Sequence, residues 1–510
     1  MATSASAERN SACDNRNNNN INKLTECVTL DGVLGHLAAF QDIADANGGT
    51  RASGTPGYDA TIDYVVATLE AAGYDPVVQP FNFVTYIETA PSVFEQISPN
   101  PTVYVEDFLT PPGDFYTMSY SGSGDVTGVI EPIADIELGL GNSSTSGCEA
   151  EDFAGFTPGN IALIQRGLCS FQLKAENAIA AGATAVIIFN QGNTEGRTGV
   201  IAGTLSDGFT GDIPVIGITY DLGVEFIENA PVTARIFTET VRELNTSFNV
   251  LAELEGRNAD NVVMAGAHLD SVEEGPGIQD NGSGSAAILE VAVQMANTRP
   301  TNTVRFGWWG AEEAGLVGST YYIDDLVQQF FDGVSDEALY IALYLNFDMI
   351  ASPNYVFKIY DGDDSDGEGA GPGPDGSADI EAYFESFYEA NGIPFKGTDF
   401  SGRSDYGQFI FWGIPAGGLF TGAEEIKTPA EAEIWGGTAG AQLDPCYHDA
   451  CDTFDNLSHY ALDVNSDAVA ASVLHYAMTT QAINGVQGKG NFNGENGVRQ
   501  LERLGSHYQR

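Results

Sequence analysis

Two histidines and a set of carboxylates in this chain have the types and spacing to hold metal ions. The stretch "HLDSVEEGPGIQDNGSG", His268 to Gly284, sets Asp270 two residues after His268 and Asp280 ten further on, in a glycine-rich run unsuited to a packed helix. Glu312 and Glu313 are adjacent, and Asp348 closes an apolar run. His448 sits in "DPCYHDACDT", where Cys446 and Cys451 can close a loop around it. His268, Asp280, Glu313, Asp348 and His448 offer imidazole nitrogens and carboxylates, which suit zinc better than magnesium or calcium. Five ligands exceed one tetrahedral zinc but fit two zinc ions if one carboxylate bridges. Three carboxylates and a bridging hydroxide would neutralise that charge, which lets such a centre be buried. Asp270 is then expected to accept the other ring N–H of His268 and fix its tautomer. Glu312 is expected to take the proton of a metal-bound water and pass it to a leaving amine, and Tyr447 to donate to an oxyanion. Singly, an H-x-D pair, two glutamates among 71 acids or a D-N-G turn would mean little. Their joint placement points to a metal-dependent hydrolase.

That placement follows from the elements around them. "NVVMAGAHLDS", "TNTVRFGWWGAEEAG" and "ALYIALYLNFDMI" are apolar strands alternating with helices. Such runs predict an α/β fold: a mixed, largely parallel central sheet flanked by helices on both faces. The three strands end at His268 and Asp270, at Glu312-Glu313 and at Asp348, and ligands bind beyond the carboxyl ends of strands in such sheets. Upstream, Val33, Leu37, Phe40 and Ile43 recur at helical spacing up to Gly48-Gly49, "GTPGYDATIDYVVATLEAAGYD" repeats the pattern, and "PVVQPFNFVTYIE" reads as a strand. Between about Tyr120 and Thr240 the texture becomes that of a compact α/β insert. The expected organisation is a disordered polar leader over 1–26, a first catalytic segment over 27–119, the insert over 120–240, a second catalytic segment over 241–482 and a polar tail over 483–510.

The net charge of −51, with 20 basic residues against 71 acids, excludes nucleic acid and anionic membrane as partners. It reads as a solvated acidic shell, of the kind a salty habitat would screen. No run approaches the roughly 20 apolar residues of a membrane span. The cysteines fall in three local pairs, none of them a C-x-x-C, so disulfides in an oxidising compartment fit better than a zinc–thiolate site. Secretion is therefore expected, although "MATSASAERNSACDNRNNNN" has no apolar signal core.

"AHLDS…QDNGSG", "WWGAEEAGLVGS", "NFDMI" and "CYHDACDT" resemble the motif set of the co-catalytic zinc aminopeptidases of clan MH, especially the secreted bacterial and fungal leucine-type enzymes. The likeness extends to "NGGTRASGTPGYDATIDYV" and "SGRSDYGQFIFWGIPAGGLFTGAEE". The resemblance implies one zinc on His268, Asp280 and Asp348, and a second on Asp280, Glu313 and His448, with Asp280 bridging. It implies Glu312 as general base, Asp270 as the orienting aspartate and Tyr447 as the carbonyl-polarising group. Met349, Gly402, Arg403 and Phe420 match positions around the substrate's first residue, and Glu312 and Asp348 would hold its free α-amine. The implied activity is removal of large apolar, leucine-like residues from peptide or protein N-termini, by a monomer. "GNIALIQRGLCSFQLKAENAIAAGATAVIIFN" resembles a protease-associated domain, in which Cys148 and Cys169 fall where a disulfide is common and Arg166 and Lys174 read as surface or structural. Two alternatives stand beside this reading. One is a carboxypeptidase or dipeptidase on the same di-zinc scaffold, with Arg403 as the clamp for a substrate carboxylate. The other is a non-catalytic protein that holds a partner through the inserted domain.

Overall fold

The computed structural model describes residues 13, 16–107, 113–206, 208–367 and 371–486. They form two compact units: the described residues of Met1–Asn82 with Thr246–Arg510, and Phe83–Asn245. The chain changes unit within two long strands, Val77–Ser98 and Val232–Leu254. The second unit thus starts well before the change of texture near Tyr120, because Val77–Ser98 is one continuous strand with no break at the crossing.

In the first unit the sheet order is Lys396–Thr398, Lys358–Tyr360, Ala416–Phe420, Ile341–Phe347, Asn258–His268, Asn302–Trp309 and the end of Val232–Leu254. The strands Ala416–Phe420, Ile341–Phe347, Asn258–His268 and Asn302–Trp309 run parallel, as the apolar runs predict. Successive residues of Asn258–His268 serve different cores. Val263, Ala265 and Ala267 pack in one with Leu37 and Phe40 of helix Leu30–Ala46, Ile62 of Pro56–Ala72, Ile288 of Ser283–Met295 and Val469 of His459–Met478. Val262 and Met264 pack in the other with Ile323 of Val317–Phe331 and Phe409 of Tyr406–Phe411. Alternate side chains leave opposite faces of a strand, so both faces of this sheet are covered. Ile43, expected in the apolar stripe, is only half-buried, and Ala44 faces the core instead.

The stretch before Cys27 departs from the expected disorder. Asn20 caps helix Ile21–Thr25 by accepting the Lys23 amide, the buried Asn18 donates to the Gln294 carbonyl, and Cys13 is disulfide-bonded to Cys27. Asparagine signals disorder by composition, yet here it caps a helix and satisfies a backbone carbonyl. The rest of the expected leader, and the expected tail beyond Val486, lie outside the described residues.

In the second unit, Gly124–Pro132, Ile161–Gln165, Ala185–Phe189 and Val215–Ile218 form a parallel sheet, with Val232–Leu254 and Phe115–Thr117 antiparallel at its sides. Helices Phe171–Ala180 and Tyr220–Glu228 follow its second and fourth strands in sequence. Cys148 is bonded to Cys169, and Cys446 to Cys451 in the first unit. Lys174 is fully buried, with its ammonium on the Ser146 carbonyl, which makes it structural rather than a surface charge.

Candidate metal centre

The sheet register brings the chemistry together. Trp309 pairs with His268, and Asn346 with Gly266, so the three parallel strands end nearly level. Glu312 and Glu313 follow the first of these ends, and Asp348 follows Phe347. Residues beside the site adopt the left-handed backbone that side chains usually avoid: Ala311 (φ 52°), Met349 (φ 54°) and His448 itself (φ 55°). Such turns concentrate where a site requires them.

Asp280 stands between the two imidazoles. Its Oδ1 lies 3.1 Å from His268 Nε2 and its Oδ2 lies 3.3 Å from His448 Nε2. His268 Nε2 is also 3.3 Å from Asp348 Oδ1, and His448 Nε2 is 3.0 Å from Glu313 Oε2. Three groups of three candidate ligands gather here: two share Asp280, and the third joins His268 to Glu312 and Glu313. His268, Asp280, Glu312 and Asp348 are buried, and Glu313 and His448 are partly exposed.

The electrostatics of the cluster favour a cation. Burial pulls the His268 imidazole toward neutrality, but Asp348 and Glu312 outweigh it and raise its pKa well above the usual value. Burial and Glu313 compete in the same way at His448, with the same net direction. Burial opposes ionisation of Asp280, yet the two histidines hold it below the usual carboxylate range. Burial pushes Glu312 well up, helped by Glu313 and Asp405 against the pull of His268. Glu313 Oε1 and Asp348 Oδ1 are buried without a hydrogen-bond donor. Carboxylates so arranged need positive charge, and imidazole with carboxylate is a donor set that fits zinc.

Residues behind the candidate ligands fix their orientation. The Ser404 hydroxyl donates to Asp348 Oδ2 at 2.6 Å and accepts from the Asn346 amide at 2.8 Å. Asp452 accepts the amides of Gln279 and Asp280, each at 2.9 Å, and thereby ties the disulfide-framed His448 loop to Asp280. Both the main chain and the carboxylate of Asp270 lie beside the His268 ring, and the carboxylate helps raise the pKa of the imidazole. His268 Nδ1 lies 3.1 Å from the Asp270 backbone carbonyl and 3.7 Å from its carboxylate, which also accepts the Glu312 amide at 3.2 Å. Asp270 therefore joins two strand ends, and its main-chain oxygen is the nearer acceptor for the ring.

A cavity of about 460 Å³ opens on the cluster. Met349, Arg403, Phe420 and Tyr447 line it, while Gly402, at φ 79°, is not among its walls. Tyr447 stacks on His448 with centroids 3.9 Å apart, and its oxygen accepts from Arg403 at 3.2 Å. Beyond Phe420, Lys358 sits over the Phe420 ring and pairs with Glu425 at 2.6 Å. Ser404, Glu425 and Asp452 fall in stretches the sequence singles out but are given no role there, and Lys358 lies outside those stretches.

The chain is similar to known proteins over most of its length. The model described as Peptidase family M28 matches residues 249–473, and that described as PA domain matches 131–226. An aminopeptidase of Pseudomonas aeruginosa is 48% identical over 460 residues, 90% of this chain and 83% of that protein. Leucine aminopeptidase 2 of Trichophyton tonsurans is 38% identical, over 88% of this chain and 84% of its own length. Among solved structures, the aminopeptidase from Aneurinibacillus sp. strain AM-1 superposes with a TM-score of 0.66 at 26% identity, covering 89% of this chain and 95% of that one. A zinc aminopeptidase from Bacillus subtilis shares the fold, with a TM-score of 0.56 at 23% identity and coverage of 88% and 95%.

Proposed function

The chain belongs to peptidase family M28, with a PA domain inserted in it, and from that premise we propose that it is a zinc-dependent aminopeptidase acting on peptide N-termini, with leucine-like first residues preferred. His268, Asp280 and Asp348 would hold one ion, and Asp280, Glu313 and His448 a second. Bound there, zinc supplies Lewis-acid polarisation of the scissile carbonyl and makes a water easier to deprotonate. Glu312, buried on the cavity wall, takes the proton of the attacking water and returns it to the leaving amine. Tyr447 donates its hydroxyl proton to the developing oxyanion, and Arg403, which donates to the same phenolic oxygen, leaves that proton directed away from itself. Glu312 and Asp348 attract the free α-amine, while Met349 and Phe420 offer apolar surface to the first side chain.

The observation that carries this reading is Asp280 presenting one oxygen to each imidazole, with Glu312 on the same cavity. The carboxypeptidase alternative needs a free cation for the substrate carboxylate. Arg403 is engaged by Glu424 at 2.6 Å and by Tyr447, which favours the aminopeptidase. The disulfides support an oxidising, extracytoplasmic location, and no helix among the described residues is long and apolar enough to cross a membrane. The test is hydrolysis of leucine p-nitroanilide against an N-acetylated peptide, with and without chelator. Turnover of the first alone, lost with chelator and restored by zinc, is expected. Cleavage of the blocked peptide, or indifference to chelation, would overturn the reading.

A further inference from the structure

The connector between His268 and the helix Ser283–Met295 has no ladder to satisfy its backbone, yet Gly275 to Gly282 are buried. Buried carbonyls need donors, and one side chain, far away in sequence, supplies several. Arg51 is fully buried, and its planar fork reaches both ends of the connector. Nη1 donates to the Leu269 carbonyl at 2.5 Å, Nε to Pro276 at 2.8 Å and Nη2 to Gly277 at 2.5 Å. Leu269 directly follows His268, and Gly277 lies three residues before Asp280. The Arg51 amide donates to Ser271 Oγ at 3.0 Å, and the guanidinium lies over the Phe40 ring, 5.1 Å from its centroid. Among the described residues Arg51 forms no ion pair, so its charge acts at range on the site's carboxylates. Burial lowers its pKa to about 10, against the pull of Asp270 and Asp452, so it stays cationic at neutral pH.

We propose that Arg51 is a positioning residue of the metal centre: by bridging Leu269 and Gly277 it sets the separation of His268 and Asp280 and so the geometry of the ion they share. The inference rests on the reading of those two residues as ligands. A lysine carries the charge but has no fixed fork, so it reproduces the electrostatics without the bridge.

The test uses the full chain as Arg51→Met and Arg51→Lys, with Ile62→Ala as a control that loosens the same core and removes no hydrogen bond to the connector. Zinc affinity is read by competition with a chromogenic chelator, geometry by the visible absorption of the cobalt(II)-substituted protein, and stability by urea unfolding. Arg51→Met is expected to bind zinc about 10- to 100-fold more weakly, the usual effect of losing an outer-shell partner. Its cobalt spectrum should shift, Arg51→Lys should fall between, and millimolar guanidinium should restore part of the affinity. Ile62→Ala should lose stability while keeping wild-type affinity and spectrum. Should Arg51→Met not fold, Arg51→Lys carries the comparison. Wild-type affinity and spectrum in the Arg51 variants, or equal loss in Ile62→Ala, would reject the positioning role. Failure of the wild type itself to bind zinc would reject the metal reading beneath it.

Discussion

Glu312, proposed as the base, has a distinctive setting. It is buried, its pKa is raised chiefly by that burial, and its amide is held by Asp270. Glu312→Gln keeps the shape and removes the proton acceptor, so kcat should fall about 10²- to 10⁴-fold while zinc content by atomic emission stays at the wild-type level. Loss of the metal together with activity would show a ligand rather than a base. Glu381 gives a pH prediction away from the site. Burial raises its carboxyl pKa to about 7, with Asp361 and Asp363 adding to the shift and the Gly362 amide opposing it. The folded state then holds the proton more tightly than the unfolded chain, so this contribution favours folding at low pH and is lost as pH rises through the window up to about 7. Glu381→Gln should therefore gain stability relative to wild type at pH 8 compared with pH 5 in urea unfolding. An equal difference at both pH values would contradict the assignment.

At the level of elements, three strand ends, the connector before Ser283–Met295 and the disulfide-framed loop position the candidate ligands. The Cys446–Cys451 bond closes a short loop around His448, whose backbone is left-handed, and Asp452 ties that loop to Asp280. Cys446→Ser with Cys451→Ser should release His448 and lower zinc stoichiometry and kcat/KM together, with little change in the far-ultraviolet circular dichroism. Full stoichiometry in the double variant would show that Asp452 alone suffices. The helix Ser283–Met295 starts against the strand that delivers Asp348. A Cβ at Gly284 would stand 2.0 Å from the Phe347 carbonyl oxygen, which is backbone and has little freedom to give way. Gly284→Ala should cost about 1–3 kcal/mol in chemical denaturation, in the range of overpacked cores, and lower activity by moving Asp348. Gly277, at φ 60°, answers another need, since the connector must reverse there to bring Asp280 back over His268.

Across the whole molecule the net charge of −51 sets the response to solvent. Self-repulsion among so many acids is screened by salt, so the melting temperature should rise between 0.05 and 1 M NaCl in scanning calorimetry. A flat profile would mean that local pairs already neutralise the surface. The same scale separates what was legible in the chain from what was not. The sequence by itself determined the parallel strands, the flanking helices and where acids and imidazole cluster at strand ends, because apolar runs of strand length and acids at their ends are local patterns. It did not reveal Arg51, Asp452, Ser404 or the Lys358–Glu425 pair as parts of the site, nor that the Asp270 main chain also reaches the ring. Nor did it mark Asn18 and Asn20 as ordered, since their composition reads as disorder. Those roles depend on contacts between residues distant in sequence: Arg51 reaches a connector more than two hundred positions away, and Asp452 one nearly as far. Strand register decides which strand ends lie level, and only the packed chain decides which buried backbone groups lack a donor and which side chain supplies it.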